Sequence, residues 1–391
     1  MNAWQSVKVS ELGRVVTGKT PKTAISENYG GDVPFLTPSD DMSVKYVSKT
    51  VKTLTEKGLS EVKNTLLPQD AVCVSCIGSD LGKVVITTKN TVTNQQINSI
   101  IVDKEHFDVS FVYYAMLILG KELNFISKTS TAVPIVNKSS FSSYEIQCPS
   151  LEQQKQIAAV LSLLDDKIEN NQKLNDNLYA QARAVFDDHF INLDVLPDGW
   201  KKGNLLDIAS YLNGLAMQKF RPQGDEISLP VLKIKELRQG LCDNSSERCT
   251  SSIKPEYIIH DGDVIFSWSG SLLVDIWCGG TCGLNQHLFK VTSNIYDKWF
   301  YYLWTAHHLA RFVAIAADKA TTMGHIKREE LAKAEVLIPC EKDYKNISSI
   351  IQPIFELIIS NQIEARKLAA LRDELLPKLM SGEIDVSAVE I

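Results

Sequence analysis

The chain has 391 residues, and at roughly 100–200 residues per domain this length predicts two to four domains. Hydrophobic residues make up 44% of the sequence and charged residues 23%, a composition that excludes a disordered or collagen-like chain. The formal net charge of −6 argues at first against binding to nucleic acid, so the charge has to be counted segment by segment.

Two features of the sequence predict a cytoplasmic protein that does not cross a membrane. The longest aliphatic and aromatic run, Phe111 to Leu119, is about half the length that a bilayer span needs, and the segment MNAWQSVKV has no basic region followed by an apolar one. The eight cysteines are too sparse for a disulfide scaffold, so we expect them to be reduced and mostly buried.

The sequence repeats itself once along the chain. Trp4–Gly18 aligns with Trp200–Gly214 at an offset of 196 residues, and the offset drifts by a few residues further along. The later matches are Asn94-Gln95 with Asn285-Gln286, Phe111–Tyr114 with Trp299–Tyr302, Pro149 with Pro339, and Asn171-Gln172 with Asn361-Gln362. We interpret the matches as an internal duplication, which has to be recognised before a fold is assigned.

Each repeat begins with a globular piece. Residues 1–150 and 193–342 contain short β-rich runs, such as Asp70–Ser75 and Asp263–Ser267, which are separated by Gly, Pro, Asn and Asp residues. This pattern predicts one mixed α/β domain in each repeat.

Each repeat ends with a helical piece, at residues 151–192 and 343–391. No Gly or Pro interrupts the first piece, and its apolar residues recur in alternating steps of four and three, which is the pattern of a coiled-coil seam. The second piece repeats the pattern, although Arg372 and Pro377 are expected to weaken its final turns. The predicted fold class is therefore α+β, with two α/β domains alternating with two long helices.

The duplication also predicts how the helices pair. If a pseudo-two-fold axis relates the repeats, the helices form an antiparallel coiled coil in which Asn171 faces Asn361 at the middle of the seam. A buried polar pair at one layer would fix the register of the two helices. The alternative is that both asparagines point to solvent.

The negative charge is concentrated on the helical pieces. The net charges are +1 for residues 1–150, −3 for 151–192, −1 for 193–342 and −3 for 343–391. Acidic helices suit protein partners better than phosphates, while the nearly neutral globular pieces have room for local basic faces.

The order of several short motifs resembles the specificity subunits of type I restriction-modification systems, over essentially the whole chain. These motifs are the opening Trp4 with Gly18-Lys19-Thr20-Pro21, the paired Asn-Gln steps, the segment Pro149 to Ile157, and the closing segment Leu375 to Ile384. The second repeat departs from the pattern, because Leu215-Ala216-Met217 stands where the first has Lys19-Thr20-Pro21.

The resemblance implies a division of labour between this chain and partner subunits. Residues 1–150 and 193–342 would be target-recognition domains, each reading one half of a split, asymmetric site in double-stranded DNA, and the helices would be spacers. Two modification subunits would methylate adenine with S-adenosylmethionine, and restriction subunits would cleave DNA with ATP and Mg²⁺. The chain itself would be non-catalytic and would bind no cofactor.

Motifs for catalysis or metal binding are weak in this sequence. Gly78–Val84 is similar to a phosphate-binding loop, but it has one residue too few between its glycines and a Val where Ser or Thr would bind magnesium, which favours a hairpin. The spacings Cys73–Cys76 and Cys278–Cys282 are compatible with a four-thiolate zinc site. Cys73 lies in an apolar β run, however, which favours the interpretation that it is a small core residue. We therefore expect no catalytic residue and no metal site.

Polar residues beside turns are the candidates for DNA contact. Lys19, Thr20 and Lys22 flank a Gly and a Pro in the first domain, and Lys219 and Arg221 occupy the similar stretch of the second. Two further turns are expected to face phosphates, and their residues are Lys128, Ser130, Thr131, Lys319, Thr321 and Thr322. For each of these residues the alternative is an ordinary solvated loop.

The paired Asn-Gln steps favour a different interpretation. Asn94-Gln95 and Asn285-Gln286 occupy equivalent positions in two domains that should read different sequences. Their equivalence favours a structural role or a shared backbone contact over base readout.

Two functions remain open from the sequence. The chain is either the DNA-recognition subunit that the resemblance implies, or a tandem adaptor that joins proteins through its helices without sequence-specific DNA binding. Salt-dependent DNA binding with a sequence preference, measured with and without modification subunits, distinguishes the two.

Overall fold

The computed structural model describes residues 4–78, 81–129, 135–318 and 325–386. The chain groups into two units, of which unit 1 is Met1–Asp166 with Ala369–Ile391 and unit 2 is Lys167–Leu368. Each unit therefore combines one globular part with a portion of both long helices. The division into four segments at residues 150, 192 and 342 stays a prediction from the sequence.

The globular part of unit 1 is a mixed α/β domain. Its larger sheet has the strand order β2-β9-β6-β7-β4, a smaller sheet has the order β5-β3-β8, and β1 pairs antiparallel with β10. The elements are β1 (Gln5–Lys8), β2 (Gly13–Thr17), β3 (Tyr29–Leu36), β4 (Tyr46–Val47), β5 (Lys52–Leu54), α1 (Glu56–Glu61), β6 (Ala71–Ser75), β7 (Val84–Thr87), β8 (Val92–Thr93), β9 (Ile97–Val102), α2 (Val109–Thr129), α3 (Lys138–Ser143) and β10 (Glu145–Cys148).

Helix α2 lies at the centre of the unit 1 core. It packs against β6 and β7, and its residues Phe111, Val112 and Tyr114 are buried. An 18-residue window of this helix, Val109–Ile126, has a mean hydropathy of 1.3, so its length and composition alone would allow it to cross a membrane. Half of the window is buried inside the protein, as packing against the sheet requires. The shorter apolar run considered in the sequence did not predict this window.

The globular part of unit 2 has a similar arrangement, but its larger sheet has four strands where unit 1 has five, and its smaller sheet has four where unit 1 has three. Its sheets have the orders β12-β19-β16-β17 and β14-β13-β18-β15, and β11 pairs antiparallel with β20. The elements are β11 (Lys201–Asn204), α5 (Leu205–Ile208), β12 (Ser210–Asn213), β13 (Ser228–Leu232), α6 (Ile234–Gln239), β14 (Arg248–Thr250), β15 (Ile258–Ile259), β16 (Asp263–Ser267), β17 (Leu273–Trp277), β18 (Cys282–Leu284), β19 (Leu288–Thr292), α7 (Lys298–His307), α8 (Leu309–Asp318), α9 (Arg328–Ala332) and β20 (Glu335–Ile338).

Unit 2 differs from unit 1 in its central helix. Where unit 1 has the continuous α2, unit 2 has α7 and α8, which are separated at His308. The imidazole Nε2 of His308 lies 2.8 Å from the backbone oxygen of Glu335, so this side chain is held by β20 at the break. The alignment of Phe111–Tyr114 with Trp299–Tyr302 did not predict the break, because it depends on a contact with a distant strand.

The two long helices run antiparallel. Helix α4 (Leu151–Phe186) ends in a π-helical turn at Asp187–Ile191, and helix α10 spans Glu341–Met380. Within unit 2, residue numbers on α4 rise while those of their partners on α10 fall, and within unit 1 Arg372 of α10 contacts Asp165 of α4. The unit 2 partners are Lys167 with Glu364, Asn171 with Asn361, and Asn175 with Ile358. The predicted antiparallel pairing and the α+β fold class are confirmed.

Helix α10 is continuous across two prolines. Pro353 and Pro377 both lie inside the helix, and Ser381 N donates to Pro377 O at 3.0 Å beyond the second proline. The guanidinium of Arg372 forms an ion pair with Asp165 on α4. Helix α10 continues through Arg372 and Pro377 to Met380, and whether these residues weaken its final turns stays a prediction.

Candidate nucleic-acid interface

The loop after the first strand of each larger sheet is held by the same backbone bonds in both units. In unit 1 the N–H of Gly18 donates to Ile97 O at 3.1 Å, and the N–H of Lys19 donates to Thr93 O at 2.9 Å. The matching bonds in unit 2 run from Gly214 N to Leu288 O at 3.0 Å and from Leu215 N to Leu284 O at 2.9 Å. Lys19 and Leu215 therefore occupy equivalent positions in the two units.

The paired Asn-Gln steps form the turn against which this loop packs. Asn94 is 8% exposed and accepts from Gln96 N at 3.0 Å, while Asn285 is 6% exposed and accepts from His287 N at 3.2 Å. A Cβ atom on Gly18 would meet Asn94 O at 2.3 Å, and one on Gly214 would meet Asn285 O at 2.2 Å. The buried Asn residues thus have a structural role in this turn. The backbone of each turn lies so close to Gly18 or Gly214 that no larger residue fits there.

The basic loop of unit 1 is exposed. The side chains of Lys19 and Lys22 face solvent, and Thr20 Oγ1 donates to Gln95 Oε1 at 2.6 Å. The backbone N–H of Lys22 donates to Glu61 Oε2 at 3.0 Å, and this bond is the main cause that lowers the pKa of Glu61. A carboxylate therefore lies beside Lys22, so Lys19 is the better placed of the two to face a phosphate.

The basic loop of unit 2 carries an ion pair. Arg221 is exposed and its Nη2 lies 3.6 Å from Glu247 Oε2, while Lys233 Nζ is 2.6 Å from the other oxygen of the same carboxylate. The hydrogen bond from Lys233 is the main cause that lowers the pKa of Glu247. Lys219 is exposed at the end of a 3₁₀ turn, Met217–Lys219.

The remaining candidates lie in or beside two segments outside the described residues, 130–134 and 319–324. Lys128 belongs to the last turn of α2, and its side chain is outside the described part of the chain. The others outside the described residues are Ser130, Thr131, Lys319, Thr321 and Thr322. Contact of any candidate with DNA stays a prediction.

A cluster of which the sequence singled out only Gln286 lies at the end of the larger sheet of unit 2. It consists of Asn213, Trp268, Gln286, His287 and His325, and we call it the Trp268 cluster. Trp268 Nε1 donates to Asn213 Oδ1 at 3.0 Å, and the ring centroids of His287 and His325 both lie 6.1 Å from that of Trp268. All five side chains are partly or fully exposed. Because these residues come from four separate segments of the chain, no local sequence motif indicates that they lie together.

The cysteines that invited a zinc site are buried in the two domains. Cys73 accepts from Ser99 Oγ at 3.3 Å, and burial raises the pKa of Cys73 and of Cys278 to about 12. Among the described residues, Asp103, Glu105 and His106 have ligand atoms within 4.8 Å of one another, and all three are exposed. His106 Nδ1 already lies 2.9 Å from Asp103 Oδ2.

The two asparagines of the helical seam are buried in unit 2. Asn171 Nδ2 donates to Glu364 Oε2 at 2.7 Å and to Asn361 O at 3.4 Å. Asn361 Nδ2 donates to Asn175 Oδ1 at 2.9 Å, and Asn175 Nδ2 donates to Ile358 O at 3.1 Å. Neither Asn171 nor Asn361 points to solvent, since they are 3% and 7% exposed. Whether they fix the register stays a prediction.

The sequence is similar to proteins of one family over both repeats. The family model of the type I restriction modification DNA specificity domain matches residues 1–180 and 197–371. The chain is 29% identical to the type I restriction enzyme MjaIX specificity subunit of Methanocaldococcus jannaschii, over 98% of this chain and 94% of that protein. It is 35% identical to the HindI specificity subunit of Haemophilus influenzae over 174 residues, 43% of this chain and 38% of that protein.

A solved structure has the same fold. The S subunit of a type I restriction-modification system from M. genitalium aligns with a TM-score of 0.57 and 16% sequence identity, over 97% of this chain and 96% of that one. The matches to the DNA specificity domain support DNA recognition over the adaptor alternative, and together they cover well over half of the sequence. The chain belongs to the family of type I restriction-modification specificity subunits, with one DNA specificity domain in each repeat.

Proposed function

We propose that this chain reads a bipartite, asymmetric DNA target, with the globular part of each unit reading one half. The observation that carries the proposal is the presence of two DNA specificity domains in one chain, one in each repeat. Two domains of different sequence on one polypeptide suit a target whose halves differ. The long helices would act as the spacer between the two half-sites.

In this proposal the chemistry belongs to partner subunits. Two modification subunits would use S-adenosylmethionine to methylate adenine within the target, and restriction subunits would use ATP and Mg²⁺ for cleavage. The chain would supply recognition and assembly in the cytoplasm, with no catalytic residue and no cofactor of its own. The acidic helices support this division, because negative charge favours a protein surface over a phosphate backbone.

The strand pairing supports independent reading by the two globular parts. Each part is closed by its own first and last strands, with Gln5 opposite Cys148 in unit 1 and Lys201 opposite Ile338 in unit 2. A domain whose two ends are adjacent can be exchanged without cutting through its sheets.

A domain exchange tests the proposal. Residues 1–150 would be replaced by the corresponding domain of a relative with a different target, and the chain would be produced together with its modification subunits. We expect sequencing of methylated adenines to show one changed half-site, with the other half and the spacer length retained.

The unexchanged complex provides the reference map of both half-sites. A second exchange, of residues 193–342, should change the other half-site alone. If either exchange altered both half-sites together, independent reading by the two domains would be wrong. If the unexchanged complex bound DNA without any sequence preference, the recognition function itself would fail.

A further inference from the structure

The two units present different side chains on the same backbone frame. Trp268 of unit 2 corresponds to Cys76 of unit 1, because each is bonded to the same two neighbouring segments. In unit 2 Trp268 N donates to His287 O at 3.4 Å, and Ile326 N donates to Trp268 O at 3.0 Å. In unit 1 Cys76 N donates to Gln96 O at 2.7 Å, and Val136 N donates to Cys76 O at 2.9 Å. The isolated bridges Ser269 with His325 and Ile77 with Ile135 match in the same way.

This frame pairs each residue of the Trp268 cluster with a counterpart in unit 1. Gln286 has the same residue type as its counterpart Gln95, but the other four positions differ. These four are Asn213 for Thr17, Trp268 for Cys76, His287 for Gln96 and His325 for Ile135. The change at the centre is the largest, since Cys76 is 1% exposed whereas the ring of Trp268 reaches the surface.

The Trp268 cluster has the chemistry of a base-reading surface. An Asn amide pairs with an adenine edge, imidazole nitrogens donate or accept at base edges, and an indole ring makes apolar contact with a thymine methyl group or an unstacked base. The cluster is also held in place, because Ser269 Oγ lies 3.0 Å from His287 Nδ1 and Asn213 holds the indole N–H. Side chains fixed on strand ends discriminate more sharply than side chains on a mobile loop.

Basic residues flank the cluster along the chain. Lys327 is exposed two residues beyond His325, and the exposed Lys219 lies on the loop that continues from Asn213. Such lysines are suited to the phosphates on either side of a contacted base step, where they fix the position of a protein on the duplex.

We propose that the Trp268 cluster is the base-contact surface of the second target-recognition domain, and that Trp268, His287 and His325 determine part of the second half-site. The inference rests on the proposed DNA-recognition function and adds to it the residues that read. It also explains how one frame serves two different half-sites. The backbone hydrogen bonds around Trp268 and Cys76 are the same in the two units, whereas the side chains that this backbone presents differ.

The test transplants residues of unit 1 into unit 2. The full chain with its modification subunits would carry His287→Gln or His325→Ile, which place the counterparts of unit 1 on the same frame. Binding to the mapped target and to each single base-pair change in both half-sites would be measured by fluorescence anisotropy. We expect discrimination at one or more positions of the second half-site to fall by about tenfold or more, with the first half-site unchanged.

A matched control separates base reading from a general effect of losing an imidazole. His260→Gln replaces an exposed histidine of the same domain that lies 3.4 Å from Thr281 Oγ1, outside the cluster, and should leave both half-sites unchanged. Unchanged discrimination in both variants, equal weakening on all sequences, or failure of the variant chains to assemble would each overturn the proposal. None of these results would affect a bipartite target already mapped for the unsubstituted complex, so the two proposals fail separately.

Discussion

Unit 1 and unit 2 share the central strands of both sheets, although the larger sheet has five strands in unit 1 and four in unit 2, but they hold the long helices through different side chains. In unit 1 the contact between the globular part and the helices combines an apolar core, which includes Ile157 and Leu161 of α4, with a polar layer around Asp165. Tyr114 OH donates to Asp165 Oδ2 at 2.6 Å, and Arg372 Nη1 lies 2.8 Å from the other oxygen of that carboxylate. Lys45 Nζ donates to Ser162 Oγ at 2.7 Å beside them, and burial lowers the pKa of this lysine.

Unit 2 fills the equivalent layer with aromatic rings. Tyr302 aligns with Tyr114 in sequence, and its ring centroid lies 5.5 Å from that of Phe355, which is 190 residues after Asp165. Tyr179 completes the group at 6.0 Å from Phe355. A second attachment in unit 2 is the bidentate pair of Arg366 with Asp261, at 2.7 and 2.9 Å.

The duplication therefore preserved the central strands of both sheets while the packing of the helices against them diverged. A network of buried charges demands one geometry, because an unpaired charge in a poorly solvated layer is costly. Aromatic packing is less directional and gains mainly from the area removed from water. A globular part exchanged between the two positions would therefore lose its contacts with the helices, whereas an exchange with the same position of a relative retains them.

Lengthening both helices near Asn171 and Asn361 should change the spacing of the DNA target itself. Four helix-forming residues would be inserted after Asn171 and four after Asn361, which adds about 6 Å to each helix at 1.5 Å per residue. If the helices are the ruler between the two half-sites, the methylation map should show a spacer longer by about one to two base pairs. Both half-sites should stay intact.

An insertion in only one helix is the matched control for that experiment. It moves the bonds of Asn171 and Asn361 out of register, so we expect the single insertion to lose activity that the double insertion keeps. An active complex with both insertions and the original spacer would show that the helices do not set the target geometry.

A smaller effect is expected from breaking the polar layer of unit 1. Arg372→Ala leaves Asp165 without its main cation in a site where the carboxylate is 12% exposed, so we expect the free energy of unfolding to fall by about 2–3 kcal/mol. Lys378→Ala, which removes an exposed ion pair with Glu374 on the same helix, should leave the free energy of unfolding nearly unchanged.

A double-mutant cycle tests whether this loss comes from the ion pair. In the background of Asp165→Asn, the effect of Arg372→Ala on denaturant unfolding should be at least about 1 kcal/mol smaller than in the unsubstituted chain. Additive effects of the two substitutions would mean that Arg372 stabilises unit 1 through packing of its stem alone.

Unit 2 has a poorly solvated carboxylate, Asp275, at a sheet position where unit 1 has Val85. Asp275 lies opposite Ile265 in the β16–β17 pair, and the corresponding residue of unit 1 is Val85, opposite Cys73. Burial raises the pKa of Asp275 to about 6. The folded state therefore prefers the protonated carboxyl, whose stabilising contribution is present below about pH 4 and is lost as the pH rises through about 6.

Asp275→Asn should remove that pH dependence. At pH 8 the variant should be more stable than the unsubstituted chain by about 1–2 kcal/mol, and near pH 4 the two should have the same melting temperature. Asp225→Asn, at an exposed loop position of the same unit, should shift the melting temperature at neither pH. A variant of Asp275 that melts lower at pH 8 would show that the carboxylate is needed for its hydrogen bond with Ile276 N.

The sequence predicted the features that depend on periodicity and missed those that depend on contacts between distant segments. The duplication, the α+β class and the antiparallel helices followed from aligned motifs and from apolar spacing. The break at His308 and the ion pair of Arg372 depend on partners far along the chain. Local spacing carries no information about such partners.

Sequence reasoning was limited in the same way for the candidate nucleic-acid interface, where contacts between distant segments could not be predicted. The burial of Asn94 and Asn285 agrees with a structural role, one of the two roles that their equivalence in the two domains favoured over base readout. The Trp268 cluster was missed, since its residues come from four separated segments that only the sheet brings together. Exposed lysines could be named from the sequence, but the carboxylate beside Lys22 could not.

The basic loop of unit 1 carries Lys19 at the position where unit 2 has Leu215, so a contribution of this lysine to DNA affinity can be tested on its own. If Lys19 faces a phosphate, Lys19→Ala should weaken DNA binding of the complex severalfold and reduce the slope of log affinity against log salt by about 0.9. Lys22→Ala should have the weaker effect, because Glu61 lies beside Lys22 and partly offsets its charge. Lys345→Ala on α10 removes an ion-paired, exposed lysine and serves as the control. Affinity measured over a range of salt concentrations decides the matter: an unchanged slope in Lys19→Ala would make this loop an ordinary solvated turn, and a changed target sequence would make Lys19 a base reader.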